Sequence, residues 1–92
     1  MSEQKREKIQ EEQLLDYVPK GAIFEHYKGK KYKIIGIARH SETLKLCVIY
    51  EALYDSLEFG SGSIWVRPLE MFVETVEIEG RQMPRFRLIS EG

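Results

Sequence analysis

Tyr32-Lys33-Ile34-Ile35-Gly36-Ile37-Ala38-Arg39-His40, then Ser41-Glu42-Thr43, then Leu44-Lys45-Leu46-Cys47-Val48-Ile49-Tyr50, reads as two strands and the turn that joins them. β-Branched and aromatic residues recur in both runs, and the small polar trio between them suits a hairpin connection. Side chains alternate between the two faces of a strand, so Leu44, Leu46, Val48 and Tyr50 share one face and Cys47 and Ile49 share the other. A strand apolar on both faces expects cover on the second. In the first run the Ile34-Ile35 pair interrupts the alternation, and Gly36 follows at once. A phase slip beside a glycine is the mark of a bulge or sharp bend, the device a small barrel uses to curl.

Working outward, residues 22–27 form a shorter strand that leads into the turn Lys28-Gly29-Lys30. Downstream, residues 54–63 hold Gly60-Ser61-Gly62 and read as the longest loop. Ile64-Trp65-Val66-Arg67 is a further strand that ends before Pro68, and Leu69-Glu70-Met71-Phe72 fits one helical turn. In the last part Val76 and Ile78 alternate with charged or polar residues, as do Phe86 and Leu88. A three-residue connection, Gly80-Arg81-Gln82, would put both apolar sets on one side, with Glu77 opposite Arg85 and Val76 opposite Phe86. The expected fold is mainly β: a small bent antiparallel sheet, or an SH3-like partly open barrel, with an N-terminal helix or tail.

The composition bounds the rest. Ninety-two residues suffice for one domain, and 42% apolar residues argue against wholesale disorder. Fourteen Lys+Arg against fifteen Asp+Glu leave a net charge of −1, so no whole-molecule pull toward nucleic acid or an anionic membrane is expected. One cysteine, Cys47, excludes an intrachain disulfide. A lone thiol, an N-terminus without the apolar stretch of a signal peptide and the lack of a membrane-length apolar run make a cytoplasmic location the expectation. Residues 1–20 read as a polar N-terminal helix or tail that docks only through Leu14, Leu15, Tyr17 and Val18; residues 21–92 read as a single β domain.

Five blocks carry a resemblance: Phe24-Glu25-His26-Tyr27-Lys28-Gly29; Ala38-Arg39-His40-Ser41-Glu42-Thr43; Tyr50-Glu51-Ala52-Leu53-Tyr54; Trp65-Val66-Arg67-Pro68-Leu69-Glu70-Met71-Phe72; and Pro84-Arg85-Phe86. In this order they resemble the bacterial domain-of-unknown-function family sixteen fifty-three, over about residues 21–89. The resemblance implies a compact bacterial domain whose shared motifs are aromatic, basic and His-containing, and it carries no activity. Two features depart from the family pattern: the first twenty residues lie outside it, and the stretch 55–63 is long for it.

No pair of carboxylates, metal set or phosphate loop stands out. His40, Ser41 and Glu42 invite a nucleophile-and-base reading, but neighbours in an extended segment point to opposite sides and cannot meet. His26, His40 and Cys47 lack the short spacings of zinc ligands, so neither metal nor cofactor is expected. Trp65 and Arg67 share one side of their strand. If Ile64 and Val66 face the core, the indole and guanidinium form an open aromatic-cationic platform. If Trp65 faces the core, Arg67 pairs with a carboxylate such as Glu70 or Glu74. Tyr27, Tyr32, Tyr50 and Tyr54 add an unusually aromatic β surface.

The functional expectation is a small binding module, ahead of an enzyme. Its site would comprise Tyr27, Arg39, His40, Trp65 and Arg67, for an anionic or aromatic small molecule or a protein partner. Arg39-His40 and Arg67 both close strands, where a rigid scaffold presents function. The alternative is a nucleic-acid accessory domain working through Lys28, Lys30, Lys31 and Lys33. No membrane association is expected, and the sequence does not set the oligomeric state. Because residues 2–12 lack an apolar stripe, deleting them is expected to change the unfolding free energy by no more than about 1 kcal/mol, measured by denaturant titration. Loss of the cooperative transition would place them in the fold.

Overall fold

A computed structural model of the chain describes residues 13–92. Its centre is a five-stranded antiparallel sheet built from β1 (Ile23–His26), β2 (Lys31–Arg39), β3 (Leu46–Ala52), β6 (Ile64–Pro68) and β9 (Phe86–Ser90), in the spatial order β6-β3-β2-β1-β9. Two small hairpins are appended: β4 (Asp55–Ser56) with β5 (Gly60–Ser61), and β7 (Thr75–Ile78) with β8 (Arg81–Pro84). A helical turn, Leu69–Phe72, follows β6 directly. The fold is thus mainly β, and the main sheet is not closed.

The bend expected at Ile34-Ile35-Gly36 is present. Ile34 pairs with Tyr50 and Gly36 with Ile49, so Ile35 is the extra residue of a bulge. The sheet curls until its two edge strands face each other across the concave side. Arg67 on β6 lies over the ring of Phe86 on β9, with its guanidinium carbon 5.5 Å from the ring centroid. The core fills this concavity. Phe24, Ile34, Val48, Tyr50 and Phe86 point into it from the strands, and Leu69 and Phe72 enter from the helical turn. Phe72 stacks on Phe86 with centroids 4.1 Å apart and planes within 6° of parallel. Val18 is buried in the same cluster, Leu14 and Leu15 pack against it, and Tyr17 is exposed. Residues 13–15 are helical, whereas the reading of residues 2–12 as a polar helix or tail lies outside the described residues.

Three local expectations are corrected. The last hairpin closes earlier than the alternation predicts: β7 pairs with β8, placing Val76 opposite Met83, Glu77 opposite Gln82 and Ile78 opposite Arg81. Its two-residue turn is Glu79-Gly80, with φ of 52° and 79°, the left-handed pair whose twist matches that of the flanking strands. Phe86–Ser90 is instead a separate strand, paired with β1. Arg85 accordingly bonds Glu74 at 2.6 Å and Arg87 bonds Glu25 at 2.5 Å, and Glu77 takes neither. Leu44 does not extend the apolar face of β3: it sits in the turn at φ 62°, exposed. Within residues 54–63, a short hairpin replaces the expected loop.

Phe86→Ala should cost about 3–5 kcal/mol, because it removes a fully packed ring from a small core, measured by urea unfolding. Glu79→Asn should raise stability by about 0.5 kcal/mol in the same assay, since asparagine tolerates the left-handed turn conformation better than glutamate.

Candidate functional site

Strand pairing assigns the two faces. Trp65 sits opposite Tyr50 and Arg67 opposite Val48, so both point to the concave side; Ile64 and Val66 point outward and are 56% and 63% exposed. Neither alternative from the sequence holds whole. Trp65 packs half-buried against the core, with its indole N–H donated to the Ser63 hydroxyl at 2.8 Å and its ring edge-on to Phe59. Arg67 faces inward as well, yet pairs with no carboxylate among the described residues: Glu70 is taken by Lys45 and Glu74 by Arg85. Its Nε–H donates to the Tyr50 hydroxyl at 3.2 Å, and its plane rests over Phe86. A half-buried guanidinium held by a phenol and a ring retains the fork of N–H donors at its tip.

Around it stand other donors. Phe24 and His26 share the concave face of β1, and the His26 ring meets Phe86 edge-on at 5.0 Å. The Lys28 amide N–H donates to His26 Nδ1 at 3.2 Å, which leaves the proton of the neutral ring on Nε2. Burial holds the His26 pKa below its ordinary value, and the nearby charges of Arg67, Arg85 and Lys28 lower it further. The Tyr32 and Tyr54 hydroxyls share a hydrogen bond of 2.7 Å. Burial, followed by that bond, pushes the Tyr32 pKa well above the usual phenol range, so the Tyr32 hydroxyl stays neutral. Arg85 closes the group: its terminal nitrogen pairs with Glu74, while its Nε is buried without a hydrogen-bond partner among the described residues.

The other expected site residues divide. Tyr27 joins the cluster through His26, on which its ring leans at 4.4 Å with 31° between planes. Arg39 lies on the same face as Arg67 two strands away, their Cα atoms roughly 12 Å apart given ~4.8 Å between strands and ~3.3 Å per residue. Its side chain turns back to the β2–β3 connection, however, and donates to the Leu44 carbonyl at 2.7 Å. The His40 ring is likewise engaged there: its Nδ1 accepts the Glu42 and Thr43 amides at 3.1 and 3.2 Å. The Ser41 hydroxyl donates to the Glu42 carboxylate, and the Thr43 hydroxyl accepts the Lys45 amide. The Arg39-to-Thr43 motif thus braces a turn. The arrangement brings together Arg67, Trp65 and Tyr27 with His26, Tyr32, Tyr50, Tyr54 and Arg85, which the site expectation omitted. The alternation Phe24-Glu25-His26 was the available sign that His26 faces inward.

Fold and site together define a small open-sheet β domain with a donor-rich concave face. The chain belongs to the DUF1653 family of proteins of unknown function, whose model matches residues 22–88. It is similar to a DUF1653 protein from Bordetella bronchiseptica known from its crystal structure, with 30% identity over 86% of this chain and 95% of that one and a TM-score of 0.71. Among curated proteins no match is found.

With the His26 pKa lowered in the fold, the unfolded chain binds the proton more readily below about pH 6.5, and stability falls as pH drops from 6.5 toward the folded value. His26→Asn, which keeps an acceptor for the Lys28 amide, should lose less stability than the parent between pH 7.5 and 5, measured by urea unfolding at each pH. An equal loss in both proteins would contradict the assignment.

Proposed function

We propose that the chain is a binding module whose concave face takes the anionic group of a small ligand through Arg67. The observation that supports this reading is a half-buried guanidinium that has an aromatic seat and a phenol partner but no carboxylate among the described residues. Moving a charge away from water costs stability unless an opposite charge or hydrogen bonds compensate, and an incoming carboxylate or phosphate supplies both. Its neighbours reinforce the preference for an anion: the His26 Nε2–H and the hydroxyls of Tyr32, Tyr50 and Tyr54 are further hydrogen-bond donors. Trp65, on the same face of its strand as Arg67, offers ring surface to an aromatic ligand body. A bacterial, cytoplasmic setting is part of the same proposal.

The nucleic-acid alternative would use the lysines of the β1–β2 turn. Lys28 and Lys30 lie over the rings of Tyr27 and Tyr54, at 5.8 and 4.7 Å, and cover faces that base stacking would need.

Proton–nitrogen NMR of the full chain distinguishes the two. Benzoate or inorganic phosphate should move the Arg67 Nε–H and Trp65 Nε1–H resonances saturably. Arg67→Lys should weaken binding about tenfold or more while changing stability by less than about 1 kcal/mol, because the lysine keeps the charge and loses the fork. Shifts confined to residues 28–33 that vanish with added salt would favour the nucleic-acid reading instead.

A further inference from the structure

We infer that the anion this face is built for is a phosphate monoester, and that its binding carries a proton onto His26. The inference rests on the Arg67 reading above and adds the ligand class and the second cation. Arg67 and His26 both address the Phe86 ring, with the guanidinium carbon at 5.5 Å and the imidazole centroid at 5.0 Å from its centre. The guanidinium carbon and the imidazole centre, seated on one ring, lie at most about 10.5 Å apart, which is roughly 8 Å between their nitrogens when these turn toward each other. An oxyanion bridges that gap with one hydrogen bond of about 2.8 Å to each side.

The number of donors favours phosphate over carboxylate. The Arg67 fork alone engages both oxygens of a carboxylate. A phosphate monoester has three terminal oxygens, and the Tyr50 hydroxyl that bonds Arg67 and the His26 Nε2–H on the same ring of Phe86 are further donors for the third. Charge points the same way. His26 is faced by Arg67 from β6, by Arg85 from the segment before β9, by Lys28 from its own turn and by the neutral Tyr32 on β2. Arg85 is already matched by Glu74. In the free protein the positive charges oppose protonation of His26. A bound dianion reverses the sign of the local field, so the ring becomes the second cation that the ligand's second charge calls for.

The experiment follows the His26 and His40 ring protons by NMR from pH 5 to 8 at constant ionic strength, with inorganic phosphate, phenyl phosphate or benzoate. Phosphate and phenyl phosphate should raise the His26 titration midpoint by about one unit or more, leave His40 unmoved, and lose the effect in Arg67→Lys and Arg67→Met. A His26 midpoint unchanged at saturating phosphate overturns the inference, as does a rise equally large with benzoate. If benzoate binds at Arg67 and phosphate does not, the anion-binding reading stands and the phosphate inference fails. If neither moves an Arg67 resonance, both fail. Phosphate shifting His26 and His40 alike would reveal charge screening and likewise overturn the inference.

Discussion

The ring of Phe86 is the contact on which the rest of the molecule depends. It begins the edge strand β9, and one face of the core converges on it: Phe72 stacks on it, while His26, Tyr32 and Tyr50 meet it edge-on at 5.0 to 5.9 Å. These partners come from β1, β2, β3 and the helical turn, so one side chain ties together elements that are far apart along the chain. Edge-on and offset contacts of this kind add to the burial of area itself, and in a domain of this size the core has few other large side chains to share the work. Arg67 then reaches over the same ring from the opposite edge strand. The curl that the Ile35 bulge permits is held by what Phe86 touches.

The parts of the fold legible in the sequence were the ones set by neighbours along the chain. The β2–β3 hairpin, the bulge beside Gly36 and the helical turn after Pro68 follow from alternation, phase slip and punctuation, and all three are present. The last third was misread because alternation alone admits two answers. Val76 and Phe86 can be drawn opposite each other, and the period-2 pattern is then satisfied as well as in the real pairing. The Glu79-Gly80 turn decides otherwise by its left-handed geometry, and the new strand after Pro84 finds its partner in β1, some sixty residues earlier, where no local signal reaches.

The site shows the same division. Arg67 and Trp65 were visible as an alternating pair at a strand end, and Tyr27 as an aromatic near a turn. Which face they occupy was open, because Ile64 and Val66 are as apolar as a core needs and yet point outward. His26, Tyr32, Tyr50 and Tyr54 join Arg67 only when the sheet curls. Conversely, Arg39 and His40 look functional as a dipeptide, and in the structure Arg39 Nη1 and His40 Nδ1 bond the turn itself. Basic and aromatic residues near strand ends are a sound place to look for function, but whether their hydrogen bonds are already used is a property of the three-dimensional turn.

The position of the cluster has a physical reason. A closed barrel pairs every strand and fills its interior with side chains, leaving no room for a charged group on the inside. This sheet stops short: β6 and β9 face each other without pairing, and the gap between them is bridged by a guanidinium over a ring. An arginine there lays its side chain over the core ring and still bonds the Tyr50 hydroxyl through Nε, which an aliphatic residue would not do. A near-neutral chain can therefore hold a locally positive concavity. Nearby Arg85 is balanced by Glu74 and Arg87 by Glu25, whereas Arg67 pairs with no carboxylate among the described residues. Incomplete closure and this charge thus coincide: where the two edge strands stay unpaired, a guanidinium rather than an aliphatic side chain sits on the core.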